Sequence, residues 1–293
     1  MPTLLAVVAL AFFLVRAAPG GPFDAERRLA PAIEQRLAEA YHLDESLPKQ
    51  FWRYLTGIVQ GDFGPSFRYQ QSSVTDLIAQ GLPVSLQLGG LAMCLALLVG
   101  FFAGTMAALN KNSWIDHVLM AFSMTGISIP NFVVAPLLVL IFAVTLRWLP
   151  AGDLTTPAHY ILPVIALALP QIAYIARLTR GSMVEILRSD YIRTARAQGL
   201  SNRNIVLYHA LKPTLLPVVS YLGPATAAML TGSVVIEQIF GLPGLGRFFV
   251  QGALNRDYTL VMGVVIFYAV LIIAFNFIVD LIYGALDPRV RYR

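Results

Sequence analysis

Hydrophobic positions in this chain gather into runs far longer than a soluble core requires. Five runs carry no Asp, Glu, Lys or Arg: Leu77–Asn110, His117–Leu146, Leu154–Ala176, Pro213–Ile236 and Tyr258–Val279. A membrane-crossing helix needs about 20 mostly apolar residues, so each run predicts one span. Pro2–Val15 is a shorter apolar run ending at Arg16. It lacks the basic residues that would precede the core of a signal peptide, and it is taken as a first span.

The polar intervals have patterns of their own. After the breaks at Pro19 and Pro22, Ala30–His42 predicts an amphipathic helix with Ile33, Leu37, Ala40 and Tyr41 on one face. Ser46 is placed to cap a second helix whose face is Phe51, Tyr54, Leu55 and Ile58. Gly61–Pro65 reads as a turn, and Ser73 as the cap of a third short helix ending at Gly81. Together these form a small helical cap whose aromatic faces pack on the spans. Pro83 then opens the second span, where Gly100 and Gly104 form a small-xxx-small pair suited to close helix approach. Pro130, Pro136, Pro163, Pro170, Pro217 and Pro224 lie inside runs. They predict kinks, which serve either a moving pathway or a merely bent bundle.

The interval Arg177–Pro213 is the most charged in the second half of the chain. Arg177, Arg180, Arg188, Arg193, Arg196, Arg203 and Lys212 are opposed only by Glu185 and Asp190. Arg193–Gln198 consists mostly of good helix formers, Gly199 fits a left-handed cap, and Ser201 can start a second short helix towards Leu211. Pro213 begins the next span. Two short helices meeting at a glycine corner make a plug for another protein; the alternative is a solvated loop that only sets topology.

Overall, 57% of residues are hydrophobic and 13% charged, which excludes an ordinary soluble domain. The net charge of +5 is concentrated in a few loops. Lys111, the Arg177–Lys212 interval and Arg289, Arg291 and Arg293 fall on one side of a six-span topology, which the positive-inside rule makes cytoplasmic. The single Cys94 lies in an apolar run and is read as a packing residue. His42, His117, His159 and His209 are scattered, with no nucleophile, metal or nucleotide pattern around them. Gly241–Gly246 (GLPGLG) lacks the Lys-Ser/Thr ending of a phosphate loop. It reads instead as a tight turn leading into a helix whose Phe248 and Phe249 suit a membrane interface. Polar residues inside spans are costly and therefore informative. Ser128, Asn131, Gln171, Tyr174, Ser220, Tyr221, Thr231 and Ser233, with Ser123, Thr125 and Thr226, are candidates to line a polar path or to bond between helices. Asp280 is expected to pair with Arg289 or Arg291.

Thr194-Ala195, three further residues, Gly199, and then Leu211 and Pro213 resemble the EAA loop of ATP-binding-cassette importer permeases. Arg193 stands where that loop often begins with Glu, Thr194 replaces its first Ala, and His209 replaces a common Ile. APGGPFDAER (Ala18–Arg27), GDFGPSF (Gly61–Phe67) and IFGLPGLG with GALNRDY (within Ile239–Tyr258) resemble the peptide-transport branch, and within it the B subunit of oligopeptide permeases. The likeness runs over essentially the whole chain.

The resemblance implies an all-α polytopic membrane protein of the type I ABC importer permease fold. Six transmembrane helices, both termini cytoplasmic and a small helical periplasmic insertion after the first helix are expected. The divisions would be 1–16 (first span), 17–80 (periplasmic loop), 81–285 (permease core, with coupling loop 177–213) and 286–293 (cytoplasmic tail). Family members usually begin with a further basic stretch, so the start is read as short by about a dozen residues. Arg193, Thr194, Ala195, Arg196, Gly199, Leu200, Ser201, His209, Leu211 and Pro213 would couple to the ATPase. Gly241, Pro243, Gly244, Gly246, Arg247 and Arg256 would lie beside the binding-protein dock. Expected partners are a homologous C-type permease half, two cytoplasmic ABC ATPases, a periplasmic or lipoprotein peptide-binding protein and the lipid bilayer of the bacterial inner membrane; nucleic acid is not expected. ATP and Mg would be held by the ATPases, with no cofactor on this chain and no catalysis by it. Dipeptides, nickel or another small solute remain alternatives within the family. Outside it, an ion-coupled secondary transporter would need intramembrane acids or inverted repeats, and an intramembrane enzyme a catalytic dyad or metal motif.

Overall fold

The computed structural model describes residues 2–17, 44–69 and 72–286, and the helix expected over Ala30–His42 and the partners of Asp280 lie outside them. The described residues are helical apart from turns and one bridge between Pro65 and Ser73. The helices are α1 (Pro2–Ala17), α2 (Leu47–Val59), α3 (Val74–Leu109), α4 (Trp114–Ser128), α5 (Asn131–Thr145), α6 (Pro157–Ile186), α7 (Asp190–Ala197), α8 (Asn202–Phe240), α9 (Leu245–Leu254) and α10 (Tyr258–Leu286). Four of them, α3, α6, α8 and α10, are long and apolar enough to cross a membrane, and α4 with α5 makes a fifth candidate only if counted together.

The expected third span is broken. α4 and α5 meet at 103°, with Ile129 extended (φ −100°, ψ 119°) and Pro130 at the cap of α5. A residue before proline is pushed out of the α region, which ends α4 there. The other prolines do not break their helices: Pro83, Pro136, Pro170, Pro217 and Pro224 sit within continuous ones.

Helix starts also differ from expectation. Ser73 and Asp76 cap one another, Ser73 Oγ donating to Asp76 Oδ2 at 2.7 Å and accepting from Asp76 N at 3.1 Å. The helix they start does not stop at Gly81; it passes Pro83 and becomes the long α3. Ser46 precedes α2 through its backbone, its carbonyl accepting from Lys49 N at 2.9 Å, with no side-chain bond. α6 continues past Arg177 and Arg180 to Ile186, so the first third of the basic interval is helix and not loop. The second short helix is no separate element either. It runs through a wider turn at Ile205–Ala210 straight into α8, and Pro213 lies inside that helix.

The chain divides into two compact units, Met1–Ser85 with Pro243–Leu271, and Leu86–Leu242 with Ile272–Arg293. In the first, Val74, Leu77, Ile78, Leu245, Leu260 and Val264 form a core. Phe248 and Phe249, partly buried, pack against it. α2 lies on α1 through aromatic contacts, Phe12 to Phe51 at 5.3 Å and Phe13 to Phe51 at 5.6 Å. A β-carbon at Gly81 would come within 2.9 Å of Leu245 N, so the glycine marks a close approach and not a helix end.

In the second unit α6 is central, packed against α4, α5 and α8. α3 reaches it through its small-residue pair. A β-carbon at Gly100 would lie 2.9 Å from Ile172 O, and one at Gly104 would lie 2.6 Å from Thr179 Cβ and closer still to Ala176 O. Without a hydrophobic drive inside a bilayer, such backbone approach supplies the packing. Cys94, ten residues before Gly104 on α3, is exposed and not part of that packing.

Gly104→Leu is expected to destroy the fit of α3 on α6 and lower the thermal stability of the detergent-solubilised protein by several degrees or abolish its accumulation. Gly181→Ala, at a helical glycine with nothing within 4 Å of the new methyl, should be neutral or stabilise by about 0.5–1 kcal/mol. Melting curves of both variants check the pair.

Candidate functional site

The charged segment folds into one small unit with two faces. Ile192 and Ile205 are 0% and 1% exposed, and with Ala195 they form a cluster beneath α7 against Ile186, Leu187 and Leu200. Arg193, Thr194, Arg196, Gln198, Gly199 and Ser201 are exposed on the other side. Of the residues expected to couple, Ala195 and Leu200 therefore face the small core and the others named here face outward. Gly199 has φ +85°, the left-handed cap that was expected, and Leu200 N returns to Ala195 O at 3.2 Å. Ser201 caps the next turn, its Oγ accepting from Asn204 N at 3.3 Å. Leu211 packs behind, against the cluster of Ala108, Met183 and Ala210.

Pro213 has a specific consequence. Proline has no N–H, so the carbonyl of His209, four residues back, loses its ordinary helical donor. Tyr191 on α7 fills that vacancy, its hydroxyl donating to His209 O at 3.3 Å. The proline that marks the resemblance thus creates the acceptor that fastens α7 to α8. Nearby, Arg180 on α6 donates two bonds of 2.6 Å to the two oxygens of Asp116, which is 2% exposed at the start of α4. Asn112 N adds a third at 2.9 Å. This fork pairing gives both charge and geometry. Sequence reasoning missed it because Arg180 was assigned to a loop and the third span was begun one residue after Asp116. Ser113, three before Asp116, was the available signal: its hydroxyl caps α4 by accepting from Asp116 N.

The outer-loop residues fall in a different setting. Gly241 has φ +67° and ends α8, with Leu242 N bonded to Glu237 O at 2.8 Å. In the first unit, Gly244 precedes α9 in extended backbone, Gly246 is buried, and Leu245 N donates to Ser85 Oγ at 2.9 Å. Arg247, Arg256 and Pro243 are exposed. Beside them is a clasp that the sequence did not reveal. Asp257, 0% exposed, accepts from Ser66 Oγ and from the backbone of Phe67, Arg68 and Leu260 at 3.2 Å each. Thr259 Oγ1 donates to Pro65 O at 2.7 Å. Two motif stretches far apart in sequence, GDFGPSF and the one ending in NRDY, are joined here around one carboxylate. A cavity of about 480 Å³ lies alongside, lined by Phe12, Arg16, Gln50, Tyr54, Thr259 and Met262 among others. Burial pushes the Tyr54 phenol well above its ordinary pKa.

Most polar residues of the spans bond within their own helix, not between helices. Ser128 donates to Met124 O (3.0 Å), Ser220 to Leu216 O (3.1 Å), Thr231 to Ala227 O (2.9 Å) and Ser233 to Leu230 O (2.9 Å). Ser123, Thr125 and Thr226 do the same four residues back. A hydroxyl in an apolar setting finds its nearest acceptor on the preceding turn. Asn131 is half-buried beside Gly232. The one cross-helix group among the candidates is on α6 and α8: Tyr221 donates to Gln171 Oε1 at 2.8 Å, and the rings of Tyr174 and Tyr221 are 5.7 Å apart.

Comparison with known proteins extends over the whole chain. Residues 97–292 match the family described as binding-protein-dependent transport system inner membrane component. The oligopeptide transport system permease protein OppB of Haemophilus influenzae is 53% identical over 294 residues, covering all of this chain and 96% of that one. OppB of Salmonella typhimurium is 52% identical with the same coverage, and the dipeptide transport system permease protein DppB of Bacillus subtilis is 47% identical over 99% of this chain and 94% of its own. Among solved structures, the inward-facing MetNI methionine ABC transporter aligns with a TM-score of 0.63 at 18% identity, over 72% of this chain and 96% of that one. An amino acid ABC transporter solved with histidines gives 0.56 at 22%, over 72% and 94%. At these identities the structures speak for the fold alone.

Tyr191→Phe removes the hydroxyl that closes the His209 carbonyl, an interaction of about 1 kcal/mol. The amides of α7 are expected to exchange with deuterium about fivefold faster, while those of α6 stay unchanged, in hydrogen-exchange mass spectrometry.

Proposed function

The chain belongs to the family of binding-protein-dependent transport system inner membrane components, and on that premise we propose that it is one membrane half of an ATP-driven importer that carries oligopeptides across the bacterial inner membrane. The observation that carries the reading is the two-faced unit at α7. An exposed basic face ends in a left-handed glycine corner, and its buried face is locked to a long apolar helix. Such a surface is of use only to a partner that pushes on it.

In this reading a homologous second half completes the membrane pathway, and two cytoplasmic ATPases dock on the α7 units of the two halves. ATP binding and hydrolysis in those partners supply the energy; this chain moves and does no chemistry. Movement of α7 passes to α8 through Ile192, Ile205 and the Tyr191 bond, and to α4 through Arg180 and Asp116. The pathway then opens alternately to each side of the membrane. A solute-binding protein delivers peptide on the opposite side, near Gly241–Gly246, Arg247 and Arg256, where the Asp257 clasp keeps the loop in shape. The arrangement of six spans with both termini cytoplasmic counts α1 and the bent α4–α5 pair as one span each. Dipeptides are the second reading, favoured by the 47% identity to a dipeptide permease, and the delivering protein rather than this chain would decide between the two.

Gly199 offers a clean test, because no atom lies within 4 Å of an added β-carbon there and only its φ of +85° resists substitution. Gly199→Asn should keep uptake, since Asn tolerates the left-handed region. Gly199→Val should misplace the α7–α8 corner at a cost of about 1–3 kcal/mol and lower ATP-dependent peptide uptake about tenfold in proteoliposomes holding the whole importer. Equal uptake by both variants would remove α7 as the coupling element.

A further inference from the structure

One cation in the spans points the wrong way for a surface residue. Arg177 is exposed on α6, and its guanidinium lies over the ring of Tyr174, 5.2 Å from the centroid, with Nη1 3.5 Å from Met124 Sδ. α4 and α6 run antiparallel: Asp116 meets Arg180, while Met124 meets Arg177. Met124 lies eight residues beyond Asp116, about 12 Å further along α4 at about 1.5 Å per residue. The guanidinium therefore reaches back along α6, into the length of the span. An arginine that only sought the aqueous edge would extend its charge the other way.

A charge held within a span is expensive unless water or an opposite charge meets it. Among the described residues no ion pair includes Arg177, and Asp116, the acid on the helix it reaches, is held by Arg180. A ring face and a thioether use little of its five-donor capacity. Beside it stand Tyr174, 39% exposed, and the Tyr221–Gln171 pair, a row of neutral donors and acceptors. The back-bonded hydroxyls elsewhere in the spans offer nothing comparable.

We propose that Arg177, flanked by Tyr174, Tyr221 and Gln171, is a carboxylate-receiving station in the translocation path, taking the C-terminal carboxylate of the passing peptide while the neutral groups meet its backbone. This rests on the importer reading above and names the residue by which this half recognises the end of its cargo. The ring and the sulfur hold the guanidinium loosely in position, so an arriving carboxylate gains a charge-assisted fork without displacing a resident anion.

The experiment uses the complete importer with its ATPases, second half and binding protein in proteoliposomes. Uptake of one oligopeptide is measured as the free acid and as the C-terminal amide. Arg177→Met is expected to lower maximal uptake of the acid about tenfold, and Arg177→Lys to stay within about twofold of the parent. The amide should enter at the same rate through all three proteins. The binding protein is common to every assay, so its own preference cancels in each variant-to-parent ratio. Equal loss of acid and amide would make Arg177 a structural residue or the partner of an anion on the second half, and would overturn the proposal. So would loss in Arg177→Lys as deep as in Arg177→Met, or no loss in either. If the parent complex imports no peptide at all, the importer reading itself fails, a result distinct from all of these.

Discussion

The connection on which the rest depends is the seat of α7 on α8. A helical carbonyl deprived of its amide donor takes another one. Pro213 removes one from His209, and the hydroxyl of Tyr191 on the neighbouring short helix replaces it. Under that bond Ile192 and Ile205 are closed off from solvent. An eight-residue helix has little stability alone; these contacts make it a rigid extension of a membrane helix and not a flexible loop. Its exposed basic face can then transmit force, because the element behind it is an uninterrupted helix from Asn202 to Phe240.

The same requirement shapes the spans. Hydroxyl groups turn back onto their own helices, so they glue little and leave the helix surfaces smooth. Packing comes instead from backbone approach at Gly100, Gly104 and Gly126, where α3 and α4 meet α6. What remains polar and outward, Arg177 with Tyr174 and Tyr221, is set apart by contrast. Of the two arginines on α6, Arg180 is paired in a fork with Asp116, and Arg177 is turned to a face that also carries tyrosines.

How much of this could be read from the sequence depends on the range of the interaction. Local conformations were legible: the left-handed Gly199, the glycine turn at Gly61 and Gly64 with φ of +78° and +87°, and the close-approach pair in α3 follow from residue type alone. Element ends were less so. Arg177 and Arg180 looked like the start of a loop because charge normally ends an apolar run. Here one is neutralised by Asp116, 64 positions away, and the other folds back on Tyr174, so the helix continues. Ser73 and Gly81 bracketed a short helix on local grounds, but Gly81 answers to α9 instead. The Asp257 clasp spans some 190 positions and leaves no local trace beyond two motif stretches that otherwise look unrelated. The seat of α7 was half visible: the glycine and the proline were noted, and the reason that they occur together needed the Tyr191 hydroxyl in place.

The central claim is that the exposed face of α7 is where the ATPase pushes, and thiol cross-linking in the assembled importer tests it most directly. Cysteine placed at Arg196 in a Cys94→Ala background should cross-link to the ATPase subunit. Cysteine placed at Ala253, exposed on α9, should not. A cross-link from position 253 with none from position 196 would contradict the account, since α7 would then be no coupling element.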